Sequence, residues 1–142
     1  MTVGERELNF GQQFLLDCLK RTKIQAVSAN LVYADTKKPF LKPYVILKAG
    51  SARIAFTGLM GKELKWRARP GERDLEILDP VETAKKLVLD LKKKADVVVL
   101  LSHLGLTDGQ KLTIEAPGVD VMVFGHMVGL SKQVVTTQSV IN

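Results

Sequence analysis

The chain has 142 residues, 46% hydrophobic and 25% charged, with a net charge of +6, which suits one soluble domain with a real core. Its longest apolar run, Val97–Leu101, is too short to cross a bilayer, and a lone cysteine, Cys18, excludes an internal disulfide and a cysteine-built zinc site. Nucleic acid is not an expected partner either: the aromatics do not interleave with basic positions as a base-stacking platform needs, and the basic residues are scattered or close helices, so the charge reads as surface solvation.

In chain order, MTVGERELNF has no basic region followed by an apolar stretch and does not read as a secretory leader. GQQFLLDCLKRT, residues 11–22, has helical spacing, and the pattern Phe14, Leu15, Cys18, Leu19 makes Cys18 a buried small hydrophobe. Residues 24–30 predict a short strand, and residues 32–43 a loop kept irregular by Pro39 and Pro43. YVILKAGSARIAFTG, residues 44–58, predicts two strands in a hairpin joined at Ala49-Gly50-Ser51. Residues 60–73 are irregular, with a turn at Pro70-Gly71. Asp79 caps a helix with Pro80 at its first position. This helix runs to about Lys94, where Lys92, Lys93 and Lys94 meet the negative end of its dipole. A strand at 96–102, a short helical segment near Asp108–Glu115, a strand at 119–125 and a strand-like stretch at 132–141 follow.

Strands alternating with helices imply an α/β fold, a mostly parallel sheet with helices on both faces. VVVLL and VMVF are apolar without alternation, as strands buried on both faces should be. In such sheets ligands bind beyond the carboxyl ends of the strands, and the two histidines of the chain, His103 and His126, both stand there. Two histidines on neighbouring strand ends can meet at one metal ion, and Gly105, Gly125 and Gly129 let the backbone turn sharply and come close to it. The alternative is that each imidazole only hydrogen-bonds within its loop.

The order GERELNFG, VSANL, YVILKAGSARIAFTGL, DPVETAKKLVLDLKKKADVVVLLSHLG, APGVDVMVFGH resembles the later part of the calcineurin-like metallophosphoesterase domain of the 5′-nucleotidase family, over about residues 4–126. That family reads G-N-H-E-x-x-x-G, A-N-L, a hairpin, L-S-H-x-G and D-x-I-x-G-H-x-H/Q in this order. The resemblance implies a partial domain over residues 1–142, part of a four-layer sandwich, and hydrolysis of nucleotides or other phosphomonoesters by metal-activated water. It implies His103 and His126 as metal ligands. Glu5 falls at the family's asparagine ligand, and its carboxylate suits a divalent cation at least as well. Arg6 falls at the histidine that stabilises charge during phosphoryl transfer. It can clamp a phosphate bidentately but cannot donate a proton near neutral pH. Glu7 and Gly11 keep the pattern, whereas Val128 replaces a ligand. Read without the resemblance, Glu5, Arg6 and Glu7 form a charged turn before a helix.

The family's upstream D-x-H and G-D ligand motifs are not in this sequence. A two-metal mechanism needs ions about 4 Å apart, so the expectation is a fragment with impaired activity, holding at most one divalent ion such as Mn²⁺ or Zn²⁺. The alternative is an inactive descendant serving as a binding or structural module. The resemblance also points to a periplasmic or extracytoplasmic setting and to a phosphate-ester or nucleotide substrate, while the short apolar runs leave no membrane partner expected. Geometrically, the strands at 97–101 and 119–124 should be parallel and bring His103 and His126 within several ångströms. A half-domain should also expose apolar surface and self-associate. Val119, Met122 and Phe124 would contribute if their face is the open one.

Overall fold

The computed structural model describes residues 1–125. Over these the elements are α1 (Glu5–Leu8), α2 (Gln12–Thr22), β1 (Leu31–Tyr33), β2 (Tyr44–Ala49), β3 (Ala52–Met60), β4 (Leu75–Ile77), α3 (Pro80–Leu91), β5 (Val97–His103), α4 (Leu106–Glu115) and β6 (Val121–Phe124). The main sheet runs β2-β3-β5-β6, and β1 pairs separately with β4. The β2–β3 hairpin is antiparallel, whereas β3–β5 and β5–β6 are parallel. The sheet is thus mostly parallel and flanked by helices, as the alternating pattern implies.

Local chemistry explains most of these elements. Gly50, at φ +62, turns the hairpin directly after the Ala49–Ala52 pair. The Asp79 carboxylate accepts from the Val81 and Glu82 amides at 3.0 Å, and Pro80 at the first helical position needs no donor. That helix ends at Leu91, so the three lysines expected in its last turn follow it instead: Lys92 pairs with Asp120 and Lys94 with Asp90. The short helical segment begins at Leu106, slightly earlier than expected.

Register places Leu59, Ser102 and Phe124 side by side, and Thr57, Leu100 and Met122 likewise, on one face of the sheet. Helices α3 and α4 cover that face, with Leu59, Ala84, Leu100, Leu104, Leu112 and Ala116 forming one buried cluster and Ala55, Leu91, Ala95 and Val98 another. Full burial of each leucine contributes roughly 1.5–3 kcal/mol. The other face meets the N-terminal segment at the end of β3, where Met60 packs with Val3, Leu8 and Leu15. There a Cβ on Gly58 would lie 2.3 Å from the Thr2 Oγ1.

Three expectations need correction. Residues 24–30 form no strand: the Val27, Ser28 and Ala29 amides donate to Met1, Lys42 and Gly58 in turn, so each bond goes to a different segment and no ladder forms. The strand lies just beyond, at β1, whose Val32 and Tyr33 fall in the stretch read as a loop. Phe14 is 55% exposed and Cys18 only half-buried, because α2 turns the stripe Gln12, Leu15, Leu16, Leu19 inward, the i, i+3, i+4, i+7 spacing of one helix face. Val119 and Met122 pack against the α4 cluster and Phe124 against Gly109, so theirs is the covered face. Val121 and Val123 are exposed, so VMVF, read as a strand buried on both faces, is covered on one face only. The strand-like stretch at 132–141 lies outside the described residues, and among the described residues no helix is long and apolar enough to cross a membrane.

Candidate functional site

The carboxyl end of β5 is fixed from three sides. Met60, the last residue of β3, lies in register with His103, and the next amide, Gly61 N–H, donates to the His103 carbonyl at 3.0 Å. The buried Asn30 holds Met60 in turn, its carboxamide donating to the Met60 and Leu78 carbonyls at 2.8 and 3.0 Å and accepting from the Met60 amide at 3.0 Å. On the third side, Gly125 N–H donates to the Ser102 carbonyl at 2.8 Å. These bonds give the His103 side chain a stable base.

The N-terminal segment delivers the partner. After Thr2 and Val3 pass the end of β3, the one-turn helix α1 begins, and its Glu7 carboxylate accepts from the Gly4 amide at 2.7 Å. Glu5 Oε2 then lies 2.9 Å from His103 Nε2, across 98 residues of sequence. An ionised carboxylate can only accept, so the imidazole donates in this contact. Both side chains are largely shielded, at 17% and 20% exposure. Arg6 points outward, 90% exposed, with Nε 4.0 Å from Glu5 Oε1. Of the residues singled out from the sequence, the fold therefore brings together Glu5 and His103, with Arg6 at their rim. His126, Gly129 and Val128 lie outside the described residues, so the expected approach of the two histidines does too; the parallel pairing of β5 and β6 is present.

The glycine that matters here was not singled out. Gly105, read as permitting close approach, has φ −60 and ψ 156, ordinary for any residue, and an added Cβ would meet nothing within 4 Å. Gly4 is different. A Cβ there would lie 2.4 Å from His103 Nε2, 2.5 Å from Cε1 and 2.9 Å from Cδ2, so the imidazole sits directly on the Gly4 backbone. The signal available in the sequence was the first letter of GERELNFG, but nothing local shows that a ring from residue 103 would cover it.

Carboxylate oxygen and imidazole nitrogen are donors that divalent cations accept. Two ligands of one ion, each at about 2.1 Å, lie roughly 3.0–3.4 Å apart, from octahedral to tetrahedral angles, near or slightly beyond the 2.9 Å that separates Glu5 and His103. The pair fits as part of a metal shell. Among the described residues no group of three or more His, Cys, Asp or Glu could hold an ion.

No family model matches the chain. The 2′,3′-cyclic-nucleotide 2′-phosphodiesterase/3′-nucleotidase of Haemophilus influenzae is 32% identical over 145 residues, covering 88% of this chain and 22% of that protein. A snake venom 5′-nucleotidase from Gloydius brevicauda is 31% identical over 132 residues, 89% of this chain and 22% of that protein. Among solved structures, a 5′-nucleotidase precursor from Thermus thermophilus superposes with a TM-score of 0.75 at 34% identity, over 89% of this chain and 25% of that one. The chain spans about a fifth to a quarter of the length of these relatives.

Proposed function

Because this chain is a partial region of the 5′-nucleotidase family of metallophosphoesterases, whose members are metal-dependent, we propose that it supplies one side of a divalent-metal site for phosphoester hydrolysis. The observation that carries this reading is the 2.9 Å meeting of Glu5 and His103 at the carboxyl ends of parallel strands, where α/β folds bind ligands. Glu5 and His103 would hold one cation. His126 joins them as a ligand on the resemblance alone. A bound divalent cation supplies positive charge to phosphoryl oxygens and acidifies water.

This chain's own residues do the rest. His103 would hold the cation through Nε2, the nitrogen that faces Glu5, with the ring proton on the other nitrogen. Arg6, exposed beside Glu5, would clamp a phosphate through two N–H groups but would not pass a proton. The substrate class proposed is a nucleotide or related phosphomonoester, and one ion is the most these residues support.

Calorimetric titration with Mn²⁺ tests the site. The expected result is a single weak site, lost in His103→Ala and weakened in Glu5→Gln. Two tight sites, or undiminished uptake by His103→Ala, would refute the assignment.

A further inference from the structure

We infer that Gly4 is a positioning residue for the Glu5–His103 pair: its missing side chain is the seat on which the His103 imidazole rests. The inference rests on the proposed metal site and deepens it. Glycine is usually retained for backbone freedom, but Gly4 does not need that freedom. Its φ of −121 and ψ of −170 are extended values any L-residue adopts. The constraint comes from the ring, since a Cβ would meet three of its atoms between 2.4 and 2.9 Å, whereas unstrained carbon contacts begin at about 3.5 Å.

The backbone on neither side of this contact can easily yield, so the ring must. Gly4 is tied through its amide to Glu7, and the neighbouring Val3 is fully buried against Met60. The His103 backbone is held by β3 and by Gly61. An alanine at position 4 would therefore push the imidazole aside by about 1 Å or more. Glu5 is the very next residue, so the displaced ring would lose its 2.9 Å contact with the carboxylate. The two donors would no longer converge on one point.

The test uses the full chain and the ring nitrogens of its two histidines, observed by ¹⁵N NMR and assigned with His126→Ala. Gly4→Ala should stay folded by circular dichroism, shift the His103 Nε2 resonance and weaken Zn²⁺ uptake at that ring by about 10- to 100-fold, the usual effect of misplacing a ligand's support. Gly105→Ala, two residues from the same ring but in open space, should change neither signal. An unchanged His103 resonance and Zn²⁺ affinity in Gly4→Ala would overturn the proposal. If Gly4→Ala does not fold, the double variant Gly4→Ala/His103→Ala should, because the obstructing ring is gone; failure of that rescue would equally overturn it. A wild-type chain that takes no Zn²⁺, while Gly4→Ala still moves the His103 resonance, would remove the metal reading and leave the positioning role intact.

Discussion

At the amino ends of β5 and β6 two aspartates each trade a pair of hydrogen bonds with the strand alongside, whereas at the carboxyl ends the carboxylate of Glu5 meets an imidazole. Asp96 donates its amide to the Arg53 carbonyl at 2.8 Å and accepts the Arg53 amide at 2.7 Å. Asp120 repeats this with Val98, at 2.9 and 2.7 Å. Each also has a cation beside it, Arg53 or Lys92. These carboxylates substitute for the ladder where pairing begins, and their oxygens are shared between backbone amides and the neighbouring cations. At the other end that task falls to a neutral amide, Asn30, and the ionisable groups bond to each other. One end of the strands is closed by its charges; the other is closed by an amide and presents its ionisable groups together.

The largest expected effect is at Asn30. Removing its side chain in Asn30→Ala leaves the Met60 amide and two carbonyls unpaired in a buried place, and each such group costs roughly 1–3 kcal/mol. Denaturant unfolding should show a loss of about 3 kcal/mol or more. A loss below about 1 kcal/mol would mean that the carboxyl end is held by packing alone, and the contrast between the two ends would fail.

Asn30 also shows why part of the site was hidden in the sequence. The hairpin, the Asp79-Pro80 helix start and the apolar run of β5 were legible because each is specified within a few neighbouring residues. β1 and β4 are three-residue strands paired across more than forty positions, and their existence depends on that partner rather than on any local period. Asn30 sits in VSANL with no local signal of its role, because its partners Met60 and Leu78 are distant in sequence. The pairing of Glu5 with His103 was implied only by resemblance: spacing carries no sign of a contact across 98 residues, and GERE by itself reads as a charged turn.

A third aspartate extends the structural use of carboxylates. Asp79 caps α3 through the Val81 and Glu82 amides, and Asp79→Ala should cost about 1 kcal/mol in thermal or denaturant melts. Asp79→Ser, which keeps an acceptor, should recover most of that loss. Failure to recover would mean that the charge at the helix start matters more than the hydrogen bonds.

The smallest expected effect isolates charge from hydrogen bonding at the closed end. The Arg53 backbone amide, and after it the Arg53 guanidinium, hold the Asp96 carboxyl below the usual carboxylate range. A carboxyl whose folded pKa is depressed adds stability that is present above the unfolded value of about 3.9 and is lost as pH falls through the folded value. Asp96→Asn keeps an oxygen to accept the Arg53 amide and removes the charge, together with the acceptor that faces the Arg53 guanidinium. The variant should melt slightly below the wild type at pH 6, and the gap should close as pH is lowered past 4. Because both side chains are about half exposed, salt should shrink the gap at pH 6 as well. A gap that stays constant down to pH 2 and in high salt would assign the role of Asp96 to its hydrogen bonds alone. The amino ends of the strands would then be held by neutral chemistry, as the carboxyl ends are, and ionised carboxylates would matter only beside His103.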